Sequence, residues 1–374
     1  MDDVFGILDQ LIRFQTVVGT PNYDIVAFIC EYLEKNGAAV TIMPGPEGDR
    51  SNIFASFGPA KVSGLVLSGH MDVVPAQSAE WASDPFSLRR EGERLYGRGT
   101  TDMKGFLAAM LAVAPQLGKM GLRRPLHMAF SYDEEAGCIG VPHLINQIQH
   151  LCALPFGCIV GEPSGLSPVC AHKGKAAVRI SIEGLGGHSS QPDLGLNAIT
   201  ALGILLQMAT ETAECTYQFG QDPIFQPAYS TLQVGTCRGG DAVNIIPAHA
   251  AMELEARAIP GVDPATVFAP VLDKIPALEK MGYKINVTQL SQYPGLLLDA
   301  SAPLVGLVST ASGRNLQLAV SYGTEAGLFQ AAGIPSIICG PGDIARAHKP
   351  NEYVLASELH DCVSFLERVI GELA

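Results

Sequence analysis

Two histidines and a small set of carboxylates stand where strands and helices are expected to end. His70 and Asp72 follow the apolar run 64–68, in Leu67-Ser68-Gly69-His70-Met71-Asp72. Such a run reads as a buried strand, and open α/β sheets bind their ligands at the carboxyl ends of strands. A histidine followed two residues later by an aspartate suits a metal ligand with a carboxylate that fixes the ring tautomer. Asp102 precedes an apolar helix expected from Gly105 to about Leu117, whose dipole would favour the ionised carboxylate. Glu134 and Glu135 follow a strand expected at 126–131, and Glu162 follows one expected at 158–160. His348 lies in the loop after a strand that ends at Cys339.

Two imidazoles and several carboxylates form a donor set for zinc, or for cobalt or manganese in its place. Five such ligands exceed one tetrahedral ion and suit two ions sharing a bridging carboxylate and a water. Adjacent Glu134 and Glu135 point apart on an extended chain, so one ligand and one general base is the expected division. Each residue alone has a plainer role. Asp102 would cap a helix, the glutamate pair would be a solvated loop, and Glu162 would be a turn residue before Pro163. Their joint occurrence at strand ends favours chemistry.

The elements that must position these groups read in order. A first helix carries Val4, Ile7, Leu8, Leu11 and Ile12 at helical spacing, capped by Asp2 or Asp3. A second helix, 23–35, stops at Asn36-Gly37, and strands follow at 38–43, 52–56 and 64–69. A polar loop, 81–93, leads to the apolar helix. Strands and helices with acidic groups at strand ends imply a sheet flanked by helices. From about 176 the pattern changes: Val178, Ile180 and Ile182 alternate with Arg179, Ser181 and Glu183, as in a half-exposed strand. A helix at 197–212, strands at 230–234 and 250–258, a helix at 264–281 and a strand at 284–289 complete a β-α-β-β-α-β, ferredoxin-like unit. A helix at 302–312, a strand at 336–339 and a helix at 357–373 resume the first architecture. The expected fold is therefore α/β: a discontinuous catalytic domain, 1–175 and 291–374, with a central mixed sheet, and an inserted ferredoxin-like α+β domain, 176–290.

The chain has 374 residues, 47% hydrophobic and 16% charged, enough for a sizeable core. Its net charge of −13 argues against a nucleic-acid partner. Nine cysteines without a C-x-x-C pair predict a reducing, cytoplasmic setting, with Cys152, Cys158, Cys170 and Cys339 as small buried hydrophobes. The opening Met-Asp-Asp-Val lacks the basic start of a signal peptide, and no apolar run reaches membrane-spanning length. There is no G-x-S-x-G, no Walker lysine loop and no H-E-x-x-H, and Gly97-x-Gly99 has Asp102 where a third glycine would stand.

Five segments carry a resemblance that covers essentially the whole chain. They are His70-Met71-Asp72-Val73-Val74-Pro75, Tyr96-Gly97-Arg98-Gly99-Thr100-Thr101-Asp102-Met103-Lys104-Gly105, Asp133-Glu134-Glu135, Gly161-Glu162-Pro163 and Gly187-His188-Ser189-Ser190. Together they resemble the dinuclear zinc amidohydrolases. The segments 322–329, 339–342 and 347–350 look most like the acetylornithine deacetylase branch. The resemblance implies two zinc ions, replaceable by cobalt: His70 and Glu162 on one, Glu135 and His348 on the other, Asp102 bridging. It implies Glu134 as general base and acid, Asp72 as the residue that orients His70, and a cis peptide between Asp102 and Met103. It further implies a homodimer through the inserted domain, with His188 stabilising the oxyanion from its own subunit or the partner. Asn244 and Arg257 match positions that grip a substrate carboxylate, and Thr324 and Glu325 lie in the segment expected to line the substrate pocket. Leu328 replaces an arginine found in desuccinylases, and Glu325 could meet a cationic side chain. The expected reaction is hydrolysis of a small acyl group from a basic amino acid. Other acyl-amino-acid hydrolases and a dipeptidase are the alternatives. A non-catalytic binding homologue would have lost a ligand or the base, and none is missing.

Overall fold

The four strands that carry the acidic ends lie side by side and parallel. They are Leu126–Ser131, Leu65–His70, Gly157–Pro163 and Ser336–Gly340, in that order. Every residue in them is buried, as expected where helices cover both faces of a parallel sheet. Parallel alignment brings all their carboxyl ends to one rim, so residues distant in sequence meet there. The computed structural model describes residues 4–374. Ala39–Pro44 and Ser51–Phe57 extend the sheet antiparallel on one side. Val169–His172, Leu296–Leu297 and Gln317–Val320 extend it on the other, giving a mixed nine-stranded sheet.

Helix Lys104–Leu117 is apolar nearly all round and packs against Val4–Arg13, Ala356–Gly371 and the sheet. Phe106, Leu107, Met110, Leu111 and Val113 are fully buried on it, each worth roughly 1.5–3 kcal/mol relative to exposure. The helix reaches the sheet closely because Gly161 has no side chain: a Cβ there would lie 1.9 Å from the Phe106 ring. That approach sets the strand bearing Glu162 beside the helix that follows Asp102.

The chain divides into two units. The first takes in residues up to Ala171 with Leu296–Ala319 and Thr324–Ala374, and the second is His172–Gly295 with Val320–Gly323. The second therefore begins and ends a few residues outside the expected 176–290 and includes a short piece of the later chain. Its sheet runs Thr231–Gly239, His249–Ala258, Gly174–Glu183, Lys284–Tyr293, all antiparallel, which is the ferredoxin-like order. One face buries Val178, Ile180, Ile182, Met252 and Leu254 against helix Ala198–Cys215.

Some expectations fail for local reasons. The helix expected over 264–281 is broken into Pro264–Phe268 (3-10), Ala269–Leu272 and Ile275–Lys280. Pro264, Pro270 and Pro276 each sit at the start of a piece, where a proline lacks no needed amide but cannot continue the preceding helix. The loop 81–93 contains a strand, Arg89–Glu91, which pairs with Arg94–Tyr96 and through it with Tyr353–Leu355. Helices Val141–Leu151 and Ala326–Ala331 were not expected. Asp2 and Asp3, the expected first cap, lie outside the described residues. All nine cysteines are free, and Cys152 is only half-buried. Among the described residues no helix is long and apolar enough to cross a membrane.

Candidate metal centre

The rim of the sheet holds two groups of potential ligands that share one carboxylate. His70, Asp102 and Glu162 form one, and Asp102, Glu135 and His348 the other. Asp102 Oδ1 is 3.1 Å from His70 Nε2, and its Oδ2 is 3.2 Å from His348 Nε2. Glu162 Oε1 lies 3.7 Å from His70 Nε2, and Glu135 Oε1 lies 2.9 Å from His348 Nε2. Asp102 thus faces both imidazoles with different oxygens.

Backbone chemistry explains why these atoms converge. His70 Nδ1 is 2.9 Å from the main-chain carbonyl of Asp72. A carbonyl only accepts, so the ring proton sits on Nδ1 and the Nε2 lone pair is left for a metal. The Asp72 carboxylate lies 3.5 Å from the same Nδ1, and its stronger partners are the amides of Glu134 (3.0 Å) and Glu135 (3.1 Å). Asp72 therefore fixes the turn that carries both glutamates as well as the ring of His70. That turn places Asp133 and Cys138 in the left-handed region, φ 50° and 60°, a conformation of about 1–2 kcal/mol for a side-chain-bearing residue and common at functional sites. Asp133 is buried and accepts from the Gly19 amide and the Arg50 guanidinium. The peptide between Asp102 and Met103 is cis, as the resemblance implied.

Electrostatics mark the cluster as one that wants cations. Burial, with the charges of Glu135, Asp72 and Asp102, pushes the Glu134 carboxyl up to about 8, although His70 opposes the rise. Glu135 and Glu162 are raised for the same leading reason, loss of solvent, with the Asp102 charge adding to it. Burial works against ionisation of Asp102, yet the His348 and His70 hydrogen bonds hold it below the usual carboxylate range. The same bonds to Asp102 and Glu135 push His348 up to about 10. A compact nest of acids around two imidazoles, most of them resisting ionisation, is what remains when divalent ions are the natural counter-charge. The imidazole and carboxylate donors, with Nε2 of His70 turned toward Asp102 and Glu162, fit such ions.

A family model for peptidase family M20/M25/M40 matches residues 66–372. The chain belongs to that family. An acetylornithine deacetylase of Pasteurella multocida is 33% identical over 359 residues, covering 94% of this chain and 91% of that protein. One from Edwardsiella ictaluri is 34% identical over 342 residues, covering 89% and 86%. Among solved structures, an M20 metallo-carboxypeptidase of Sulfolobus solfataricus superposes with a TM-score of 0.81 at 20% identity, covering 99% of each chain. Human carnosine dipeptidase 1 gives 0.76 at 15% identity, covering 100% of this chain and 97% of that one. This M20 chain is thus a metal-dependent hydrolase by family.

Other sequence-predicted residues of the M20 chain have their own settings. His188, Asn244 and Arg257 belong to the second unit. His188 and Asn244 meet there, because Gly187–His188 pairs with Ile245–Ile246 and the Ser189 amide reaches the Asn244 carbonyl at 3.2 Å. The His188 Nδ1 is engaged by Ser190. Arg257 is held by Glu255 at 2.8 Å and by the Tyr293 hydroxyl at 3.3 Å. Thr324 and Glu325 correct an expectation. Both are fully buried. Thr324 Oγ1 accepts the Ala326 amide, and both Glu325 oxygens are taken by serine hydroxyls, so neither side chain is placed to meet a substrate.

Two site residues escaped the sequence reading. Glu352 is buried and accepts from the amides of Gly99, Thr101 and Asp102 and from Arg98. Its position four residues after His348 was the available clue, since one carboxylate there can tie two ligand loops. Cys138 Sγ donates to Glu134 Oε1 at 3.3 Å; its only signal was closeness to the acidic pair.

Proposed function

We propose that this M20 hydrolase cleaves N-acetyl-L-ornithine to L-ornithine and acetate, a step of arginine biosynthesis. The observation that carries hydrolysis is Asp102 set between His70 and His348, with Glu134 beside it on the turn held by Asp72. The substrate is supported by the relatives that match most of the chain, which are acetylornithine deacetylases.

In this reading His70 and Glu162 would hold one zinc ion and Glu135 and His348 the other, with Asp102 common to both ligand groups and cobalt able to replace zinc. A metal pair there supplies Lewis acidity, lowering the pKa of water and polarising the scissile carbonyl. Glu134 takes the proton from the attacking water and delivers it to the leaving amine, a task that needs a carboxylate with a pKa near working pH. Asp72 keeps Glu134 aimed through its amide while holding the tautomer of His70. On the sequence resemblance, His188 stabilises the oxyanion, Asn244 and Arg257 bind the substrate carboxylate, and the protein works as a homodimer through the inserted domain.

A second substrate reading has its own support. Burial of Glu325 removes the group expected to select a cationic side chain, so N-acetylated neutral amino acids remain on the panel. The test is acyl release by metal-stripped protein, with and without zinc or cobalt. The substrates are N-acetylornithine, N-acetylcitrulline, N-acetylmethionine, succinyl-diaminopimelate and a dipeptide. Metal-dependent turnover led by N-acetylornithine is expected. Turnover led by another member overturns the substrate, and absence of metal-dependent turnover on all of them overturns the reaction.

A further inference from the structure

Glu325 has no part in the reaction as read above, yet its carboxylate is completely removed from solvent. It precedes helix Ala326–Ala331, and its two oxygens receive one hydroxyl each: Ser68 Oγ at 2.6 Å and Ser131 Oγ at 2.6 Å. The two serines stand on adjacent parallel strands. Ser68 lies two residues before His70. Ser131 is the register partner of His70, its carbonyl takes the Met71 amide at 2.8 Å, and Tyr132 alone separates it from the Asp133-Glu134-Glu135 turn. Glu325 therefore ties together the two strand ends that deliver opposite halves of the ligand set.

Burial pushes the Glu325 carboxyl upward, and the two serine hydroxyls, one at each oxygen, oppose that rise by stabilising the ionised form. Among the described residues no lysine or arginine forms an ion pair with it. A buried anion without a cationic partner is costly, and such groups are normally paired or face a metal. His70 and Asp72 are the charges of the centre that act on it. An anion held behind the strand end that bears His70 adds to the attraction that divalent cations meet at the rim.

We propose that Glu325 is a positioning residue of the metal centre: it clamps the strand ends bearing His70 and Glu134-Glu135 through Ser68 and Ser131, and its fixed charge strengthens binding of divalent cations. This rests on the two-ion reading above. The mechanism differs from a pocket residue, because nothing is asked of contact with substrate.

The test is a competition titration of metal-stripped wild type and Glu325→Gln with cobalt or zinc against a chromophoric chelator. Glutamine has the same shape, and serine hydroxyls can turn to accept from its amide, so the fold is expected to hold. Metal binding should weaken about 10–100-fold, as for other groups that support ligands from behind, with the urea midpoint of the metal-free protein and KM at saturating metal unchanged. Wild-type affinity in the variant overturns the inference while leaving the two-ion reading intact. Unchanged metal affinity with a KM raised only for cationic substrates would return Glu325 to substrate selection. Failure of the wild type to take up two ions would overturn both. If Glu325→Gln does not fold, Ser131→Ala removes one tie and keeps the charge. A smaller loss of metal affinity is expected there, and no loss overturns the clamp.

Discussion

Glu352 Oε1 accepts the backbone amide of Asp102 at 3.1 Å, across 250 residues of sequence. The same carboxylate takes the amides of Gly99 and Thr101 and pairs with Arg98 at 2.7 Å, both side chains being buried. It thus joins the loop bearing the shared ligand to the loop bearing His348. Replacing it with alanine leaves the Arg98 charge and three amides without partners. Glu352→Ala should destabilise the metal-free protein by about 3–5 kcal/mol in urea denaturation, and Glu352→Gln by less. A loss under about 1 kcal/mol in the alanine variant would show that the loops do not depend on this carboxylate.

The adjacent glutamates should separate on two different readouts. Glu134→Gln is expected to lower kcat by about 10²–10⁴-fold, the range for a positioned acid–base group, with metal content retained. Glu135→Gln should lose metal first and activity as a consequence. Metal analysis beside kinetics checks this. Equal metal loss in both variants would erase the distinction between base and ligand.

Metal uptake should release protons. In the metal-free protein His348, raised to about 10, holds a proton at pH 7, and the ligands Glu135 and Glu162 are shifted upward as well. Ligands bind metal in their unprotonated forms, so apparent affinity must rise with pH. Calorimetric titration at pH 7 in two buffers of different ionisation heat should give about one or more protons released per ion. Identical heats in both buffers would contradict the proton-holding nest.

Acid stability should depend on His127. The ring is fully buried, stacks on Phe54, and has Nδ1 2.8 Å from Ser56 Oγ, while Nε2 has no partner. Burial lowers its pKa from 6.5 to about 4. The folded chain therefore binds fewer protons than the unfolded chain between these values. The contribution is complete above 6.5 and is lost as pH falls toward 4, about 2 kcal/mol by pH 5. Urea midpoints at pH 7 and pH 5 should show that loss in wild type and its absence in His127→Leu, with His172 acting alike in both. An equal loss in the two proteins would rule out the assignment.

Ligand types were legible in the sequence because strands deliver residues to a common rim. The apolar runs before His70, Glu134 and Glu162 marked that rim, and the histidine after the Cys339 strand completed it. What the runs could not show was the traffic behind the rim. Asp72 looked like a partner for His70, and spacing alone favours that, but its carboxylate mainly holds the amides of the next strand's turn. Glu325 looked like a pocket residue because it is charged and lies in the segment that resembles the deacetylase branch. Its burial depends on Ser68 and Ser131, which are distant in sequence and unremarkable in type. The three prolines between 264 and 276 were visible as residues, yet apolar periodicity outweighed them, and the single helix expected there is three short pieces.

The three-segment construction of the first unit has a consequence for synthesis. Asp102 emerges early, whereas its partners His348 and Glu352 arrive only after the whole intervening second unit has been made. Until then the shared carboxylate faces at most one of its two histidines, and its loop lacks the clasp that shapes it. A nascent chain on the ribosome would therefore fold much of its sheet while remaining unable to complete the centre, and capture of the full metal complement would be a late event of biogenesis.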